Sequence, residues 1–198
     1  MENAKNNSQY VLDDLKESDI ILFQETWLFQ CDVNAGTLKN TYAAYDSHAR
    51  GVDYNNPIPP TSLPRGYGGI AILWKTMLTP QVKKHDYGNN RIICIEIKSC
   101  YIINVYFPSG NKTVTIEEYL ECADILESVV EQIPSSKHLI IAGDWNIDLF
   151  KNKNKNDKRK QRIVKLLKKF HLICLTGNPK PTNTDHKGNT SHRLYSHP

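Results

Sequence analysis

The sequence predicts a mixed α/β domain, on three observations. Four short and continuous apolar runs, Ile20–Phe23, Ile70–Trp74, Leu139–Ala142 and Leu172–Leu175, have the length and character of strands buried on both faces. Two longer segments repeat their apolar residues at helical spacing. Residues 91–97 and 101–107 are β-rich runs around the short Lys98-Ser99-Cys100 connection, the pattern of an antiparallel hairpin.

Taken in order, residues 8–17 (SQYVLDDLKE) read as a short helix, with Ser8 as N-cap and Val11, Leu12 and Leu15 inward. The strand Ile20–Phe23 follows. Residues 31–65 read as loop, broken by Asn55-Asn56-Pro57-Ile58-Pro59-Pro60. Gly68-Gly69 opens the strand Ile70–Trp74, and the hairpin comes next. Thr115-x-x-Glu118 is a capping box for a helix whose apolar face is Ile116, Tyr119, Leu120, Ala123, Leu126, Val130 and Ile133, and Pro134 ends it. Gly143 closes the strand Leu139–Ala142. Residues 158–170 form a second amphipathic helix with Ile163, Leu166, Leu167 and Phe170 inward, followed by the strand Leu172–Leu175. Beyond Thr176 the chain is polar and turn-rich, and no further element is expected.

A chain of 198 residues is expected to form one domain over 1–198, large enough to bury a core. No run approaches the roughly 18–20 apolar residues of a membrane span, so no membrane association is expected. The polar first ten residues lack the apolar region of a secretory signal. The five cysteines are scattered and never spaced C-x-x-C, which argues for a reducing, intracellular compartment, nuclear or cytoplasmic. Ten of the 25 basic residues but one of the 21 acidic ones lie between Lys151 and Lys169, so all the positive excess sits in one segment. Within it, Lys158, Arg159, Lys160 and Arg162 are candidates for phosphate or nucleic-acid contact, and Lys158-Arg-Lys-Gln-Arg162 is a weak nuclear signal. The competing reading is a solvated loop and helix face.

Three polar clusters each stand at the carboxyl end of an apolar strand: Gln24-Glu25-Thr26-Trp27, Asn104-Val105-Tyr106-Phe107-Pro108 and Gly143-Asp144-Trp145-Asn146. Strand ends hold side chains rigidly side by side, which is why sheet proteins gather ligand sites there. Singly, each has an ordinary explanation as a strand end, a turn or a core aromatic. Their order is what matters. Asp19-Ile-Ile-Leu-Phe-Gln-Glu-Thr-Trp-Leu28, Gly66-Tyr-Gly-Gly-Ile-Ala-Ile-Leu73, Asn104-Val-Tyr-Phe-Pro108, Gly143-Asp-Trp-Asn146 and Pro181-Thr182 together resemble the exonuclease–endonuclease–phosphatase (DNase I-like) superfamily. The Q-E-T-W-L phrase is nearest to the endonucleases of non-LTR retrotransposons.

That resemblance implies a four-layer α/β sandwich with its active site at one rim, and a magnesium-dependent endonuclease acting on DNA. Glu25 would hold Mg2+, with Mn2+ as the alternative ion. Asp144 would orient and deprotonate the attacking water, Asn146 would steady the phosphate and Asp144, Tyr106 would hydrogen-bond the scissile phosphate, and Thr182 would add a minor contact. No obligate protein partner is implied.

The sequence departs from the family pattern at both ends. An opening strand with a metal-proximal asparagine is expected but not found ahead of Ser8, and Asn3, Asn6 and Asn7 lack a strand to place them. Ser191-His-Arg-Leu-Tyr195 lacks the family's aspartate, and Ser196-His197-Pro198 lacks that of the final triplet. The expectation is a partial domain, catalytically impaired and without its terminal strands. Two rival readings follow: a non-catalytic nucleic-acid-binding remnant that uses segment 151–169 and exposed aromatics such as Trp145, and a phosphatase or phospholipase of the same superfamily. Zinc at His186, His192 and His197 with Asp185 matches no common ligand spacing.

Overall fold

The computed structural model describes residues 15, 17–52, 68–109, 115–149, 157–175 and 193–196. Two sheets lie face to face. The smaller contains β1 (Ile20–Gln24), β2 (Tyr45–Arg50) and β3 (Ile70–Lys75) in the antiparallel order β1-β3-β2. The larger has β4 (Val82–Asn89), β5 (Ile92–Ile97), β6 (Cys100–Tyr106), β7 (His138–Asp144), β8 (Leu172–Leu175) and β9 (Arg193–Ser196), in the order β4-β5-β6-β7-β9-β8. Its one parallel pair is β6–β7. Parallel neighbours need a crossover, and α3 (Ile116–Glu131) supplies it.

Side-chain alternation sorts the apolar runs into layers. Along β3, Ile70, Ile72 and Trp74 point at the larger sheet and meet Ile93, Ile95, Ile102 and Tyr106. Ala71 and Leu73 point the other way, into a cluster with Ile21, Leu28, Leu38, Tyr42 and Tyr45. Two short helices, α1 (Gln30–Asn34) and α2 (Thr37–Thr41), cover that outer face through Val33 and Leu38. On the far side, Ile92, Cys94, Ile103 and Val105 pack under α3 and α4 (Lys158–Lys169), which contribute Tyr119, Ala123, Leu126, Ile163 and Leu166. Helices, sheet, sheet and helices make a four-layer α/β sandwich.

Both long helices start at side-chain caps, Thr115 as expected and Asp157 in addition. The Thr115 hydroxyl accepts the Glu118 N–H at 3.2 Å, and the Asp157 carboxylate accepts that of Arg159 at 3.0 Å. The hairpin turns at Lys98, which adopts a left-handed φ of 56°.

Where the structure departs from the sequence reading, edge strands are the main reason. β2 (YDSHAR) and β4 (VKKHDYGN) fall in stretches to which the sequence assigned no strand. Each borders its sheet and buries one residue fully, Tyr45 and His85, so neither carries an apolar run to betray it. β1 packs on both faces as expected, yet as an edge strand only Ile21 is fully buried. Gln30–Asn34 and Thr37–Thr41 are helical, within or bordering the stretch 31–65 where loop was expected. The chain beyond Thr176 does contain an element: β9 inserts between β7 and β8, pairing Tyr195 with Ile140 and with Ile173. Of the first predicted helix, only Leu15 and Glu17 lie among the described residues. The breaker cluster 55–60 lies outside them.

Candidate active site at the sheet rim

The carboxyl ends of β1, β6 and β7 converge on one rim. Asn104 fixes their relation. It is fully buried between the sheets, where its carboxamide N–H2 donates to the Phe23 and Ala71 carbonyls at 3.0 and 2.9 Å, and its oxygen accepts the Gln24 amide at 2.6 Å. One side chain of the larger sheet thereby pins two strands of the smaller. Two residues on, β6 delivers Tyr106, whose hydroxyl donates to Glu25 Oε1 at 2.6 Å.

The parallel register of β6 and β7 places Tyr106 beside Asp144 and Val105 beside Gly143. Gly143 sits at φ +138°, and a Cβ there would come within 2.0 Å of the Val105 carbonyl oxygen. Only glycine lets the two strands approach so closely at this rung. Asn146 then turns back on Asp144. Its backbone N–H donates to Asp144 Oδ1 at 3.0 Å, while its carboxamide N–H2 donates to Asp144 Oδ2 at 3.1 Å and to the Phe107 carbonyl at 2.8 Å. The carboxylate is therefore held at both oxygens.

Glu25, Trp27 and Asn146 all adopt left-handed backbone, with φ of 53°, 53° and 46°. Such conformations cost about 1–3 kcal/mol each in non-glycine residues and persist where surrounding contacts impose them. Around Glu25 the contacts are the Thr26 and Trp27 N–H groups, which donate to the Gly69 and Gly68 carbonyls at 3.3 and 2.9 Å. Gly69 allows this contact, since a Cβ on it would lie 2.5 Å from the Thr26 hydroxyl. The result is an exposed Glu25 carboxylate above a buried Thr26.

Burial, together with the hydrogen bond to Glu25, pushes the Tyr106 phenol well above its ordinary pKa; the Glu25 and Asp144 charges push the same way and Arg91 opposes them. Tyr106 thus remains a protonated donor across the physiological range. Both carboxylates act on one hydroxyl, so Glu25, Tyr106 and Asp144 form a single electrostatic unit.

The family model for the endonuclease/exonuclease/phosphatase family matches residues 2–194. The chain belongs to this family. A stretch of 92 residues is 35% identical to recombination repair protein 1 of Drosophila melanogaster, spanning 43% of this chain but only 13% of that protein. Among solved structures, an AP endonuclease from Archaeoglobus fulgidus superposes with a TM-score of 0.65 at 15% identity, over 98% of this chain and 82% of the other. The endonuclease domain of TRAS1, a telomere-specific non-LTR retrotransposon, gives 0.60 at 17% identity, over 94% and 77%. Likeness at such identities establishes the DNase I-like fold.

Of the family residues anticipated from sequence, Glu25, Tyr106, Asp144 and Asn146 stand together at the rim. Thr182 lies outside the described residues, as do residues 151–156 and the late histidines 186, 192 and 197. The basic residues of α4 are placed differently. Arg159 pairs with Asp157 at 2.9 Å and stacks over Tyr119, and Arg162 pairs with Asp124 at 2.6 Å and also with Glu127. Lys158 is exposed and Lys160 half-buried.

Trp145, expected as an exposed aromatic, is 2% exposed. It stacks on Phe107 at 5.1 Å, and its carbonyl accepts the Tyr119 hydroxyl at 2.9 Å. Flanked by Asp144 and Asn146, both of which face the site, its side chain points into the core and anchors the loop. Asn104 and Gln24, which lock the strand ends, were visible in the sequence as parts of motifs but gave no sign of being an inter-sheet pin.

Among the described residues, no group of three or more His, Cys, Asp or Glu side chains gathers to cage a metal, and no helix is long and apolar enough to cross a membrane. The rim instead offers one exposed carboxylate, Glu25, with a hydroxyl donor beside it. Magnesium commonly takes one or two carboxylates and completes its shell with water and substrate phosphate, so this donor set fits it.

Proposed function

We propose that this chain hydrolyses phosphodiester bonds in DNA as a magnesium-dependent endonuclease of the retrotransposon type. The observation that carries the reading is the joined set Glu25–Tyr106–Asp144–Asn146 at one rim. Glu25 would hold the ion, with manganese as a substitute; when bound, the ion neutralises charge building on the phosphate. Asp144, its two oxygens fixed by Asn146, orients a water and accepts its proton. Tyr106, held protonated by burial and by Glu25, would swing its single O–H from Glu25 to a phosphate oxygen when substrate binds. Asn146 keeps Asp144 in line, and would steady the same phosphate by turning the carboxamide N–H now on the Phe107 carbonyl towards it. DNA as substrate is supported by the company the fold keeps, a repair protein, an AP endonuclease and a retrotransposon endonuclease domain.

The test is nicking of supercoiled plasmid by the purified chain, with magnesium or EDTA. Nicking that requires the ion and disappears in Glu25→Gln and Asp144→Ala is the expected result. Plasmid left intact under every divalent ion, while the protein stays folded, refutes the hydrolase.

A further inference from the structure

Four arginine side chains are described, and three are held by short hydrogen bonds to carbonyls or carboxylates. Arg50 donates to the Gly88 and Asp86 carbonyls at 2.8 and 2.7 Å, Arg159 pairs with Asp157, and Arg162 with Asp124 and Glu127. Arg91 is the exception. Its guanidinium sits 5.1 Å from the centre of the Tyr106 ring and makes one long contact, 3.4 Å, to the Tyr106 carbonyl. That length lies beyond the usual N–H···O range. No carboxylate pairs with it among the described residues.

The backbone that carries the cation is nonetheless firmly placed. The Arg91 backbone N–H donates to the Asn89 side chain at 2.9 Å, and its carbonyl accepts the Tyr106 N–H at 2.8 Å. Arg50 reaches across from the smaller sheet and ties down the two carbonyls at the end of β4, just before the turn that carries Arg91. A half-buried guanidinium with most of its donors unused, fixed beside a site built from two carboxylates, is suited to an anion. The planar fork of arginine matches phosphate with two parallel hydrogen bonds, which a lysine ammonium does not reproduce.

We propose that Arg91 binds a backbone phosphate of the nucleic acid in a subsite next to the Tyr106–Glu25 pair. The proposal rests on the reading of this rim as a phosphodiesterase site. A nucleic acid approaching Glu25 and Asp144 meets two negative charges, and Arg91 is the cation that offsets them at that point. The alternative is that Arg91 only packs against the Tyr106 ring as a cation–π partner.

Binding separates the two. The full chain is titrated by fluorescence anisotropy against a labelled DNA duplex in EDTA, across a salt series, as wild type, Arg91→Gln and Arg91→Lys. Thermal melting of each variant checks that it is folded. Loss of one phosphate contact in Arg91→Gln is expected to weaken binding about tenfold and to reduce the slope of log K against log salt by about one. Arg91→Lys is expected to restore the slope and only part of the affinity. With magnesium, KM should rise more than kcat falls. Unchanged affinity and slope in a folded Arg91→Gln, with kcat reduced, would mean that Arg91 merely packs Tyr106, and the proposal is lost. Wild type that binds DNA without cutting it, but loses one unit of slope in Arg91→Gln, removes the nuclease reading and keeps the phosphate subsite. Wild type that shows no DNA affinity overturns both.

Discussion

Two regions of the molecule carry the residues that a phosphate-handling protein needs, the rim formed by β1, β6 and β7 and the basic helix α4, and they treat those residues in opposite ways. At the rim, side chains pair with one another so that their remaining atoms face one place: Tyr106 with Glu25, Asn146 with Asp144. On α4, the arginines pair with carboxylates of α3 and of the helix cap. The sequence gives α4 the stronger electrostatic signal, with a run of cations unmatched elsewhere in the chain. Folding spends much of it. Charge counted along a chain measures what is available before packing, whereas a strand end fixes a side chain's position and leaves its chemistry free.

The largest effect expected from this contrast is at Asp144. Replacement by Ala removes the group assigned to the attacking water, and loss of a positioned general base typically costs about 10²–10⁴-fold in rate. Plasmid nicking should fall by that factor, while Arg159→Gln and Arg162→Gln should leave kcat within about twofold. Equal losses at the rim and on α4 would break the distinction between the two regions.

The second largest effect concerns how the rim is assembled. Asn104→Ala strips three hydrogen bonds from a fully buried position and leaves the Gln24 amide and two carbonyls short of a partner. Each unsatisfied buried group costs about 1–3 kcal/mol, so a total near 3 kcal/mol is expected in urea unfolding. Because the pin joins the sheets, Tyr106 and Glu25 should also lose register, and nicking should fall with stability. A variant of wild-type stability would show that the sheets hold their alignment without it.

What was legible in the sequence follows the same division. The central strands and both long helices could be read, because burial on both faces or along one stripe writes a continuous or periodic apolar pattern: Ile70–Trp74 and Tyr119–Val130 are examples. The rim motifs could be read because they follow those strands directly. β2 and β4 could not, since a strand that buries a single residue fully leaves no pattern. β9 was hidden among polar residues that read as turn. Trp145 was misread because its neighbours on both sides serve the site, while its own ring fills the core beside Phe107. Arg91 was missed altogether, since nothing in Asn89-Asn90-Arg91 marks which ring the cation covers. Pairing between distant residues, such as Arg162 with Glu127, leaves no local trace either.

A smaller effect joins the edges of the two sheets. The Nε2 of His48 on β2 lies 3.1 Å from the His85 carbonyl on β4. Burial lowers the His48 pKa to about 4; the hydrogen bond to His85 opposes that shift, Arg50 and Lys84 add to it, and Asp86 opposes it weakly. The unfolded chain, titrating near the ordinary histidine value of about 6.5, binds the proton first. Stability should therefore fall as pH drops from about 6.5 towards 4, by about 1–2 kcal/mol at pH 5. His48→Gln keeps a donor and removes the titration. Urea midpoints of wild type and variant should diverge below pH 6.5, and parallel curves would mean that His48 protonates in place.

The smallest expected effect bears most directly on what α4 is for. Arg162 is largely buried against Asp124 and Glu127, and Glu127 is also held by Lys169 at 2.5 Å. The network clasps α4 to α3 over the outer face of the larger sheet. Removing one cation from a partly solvated network should cost about 1 kcal/mol, and less at high salt. If the pairs are intact when DNA binds, Arg162→Ala leaves the salt slope of binding unchanged, in contrast to Arg91→Gln. The exposed Lys158, Lys165 and Lys168 then account for whatever α4 contributes. A slope reduced by one in Arg162→Ala would mean that DNA phosphate displaces Glu127 from its guanidinium. In that case the carboxylates of α3 act as a temporary substitute for the ligand, and the clasp between the two helices opens on binding.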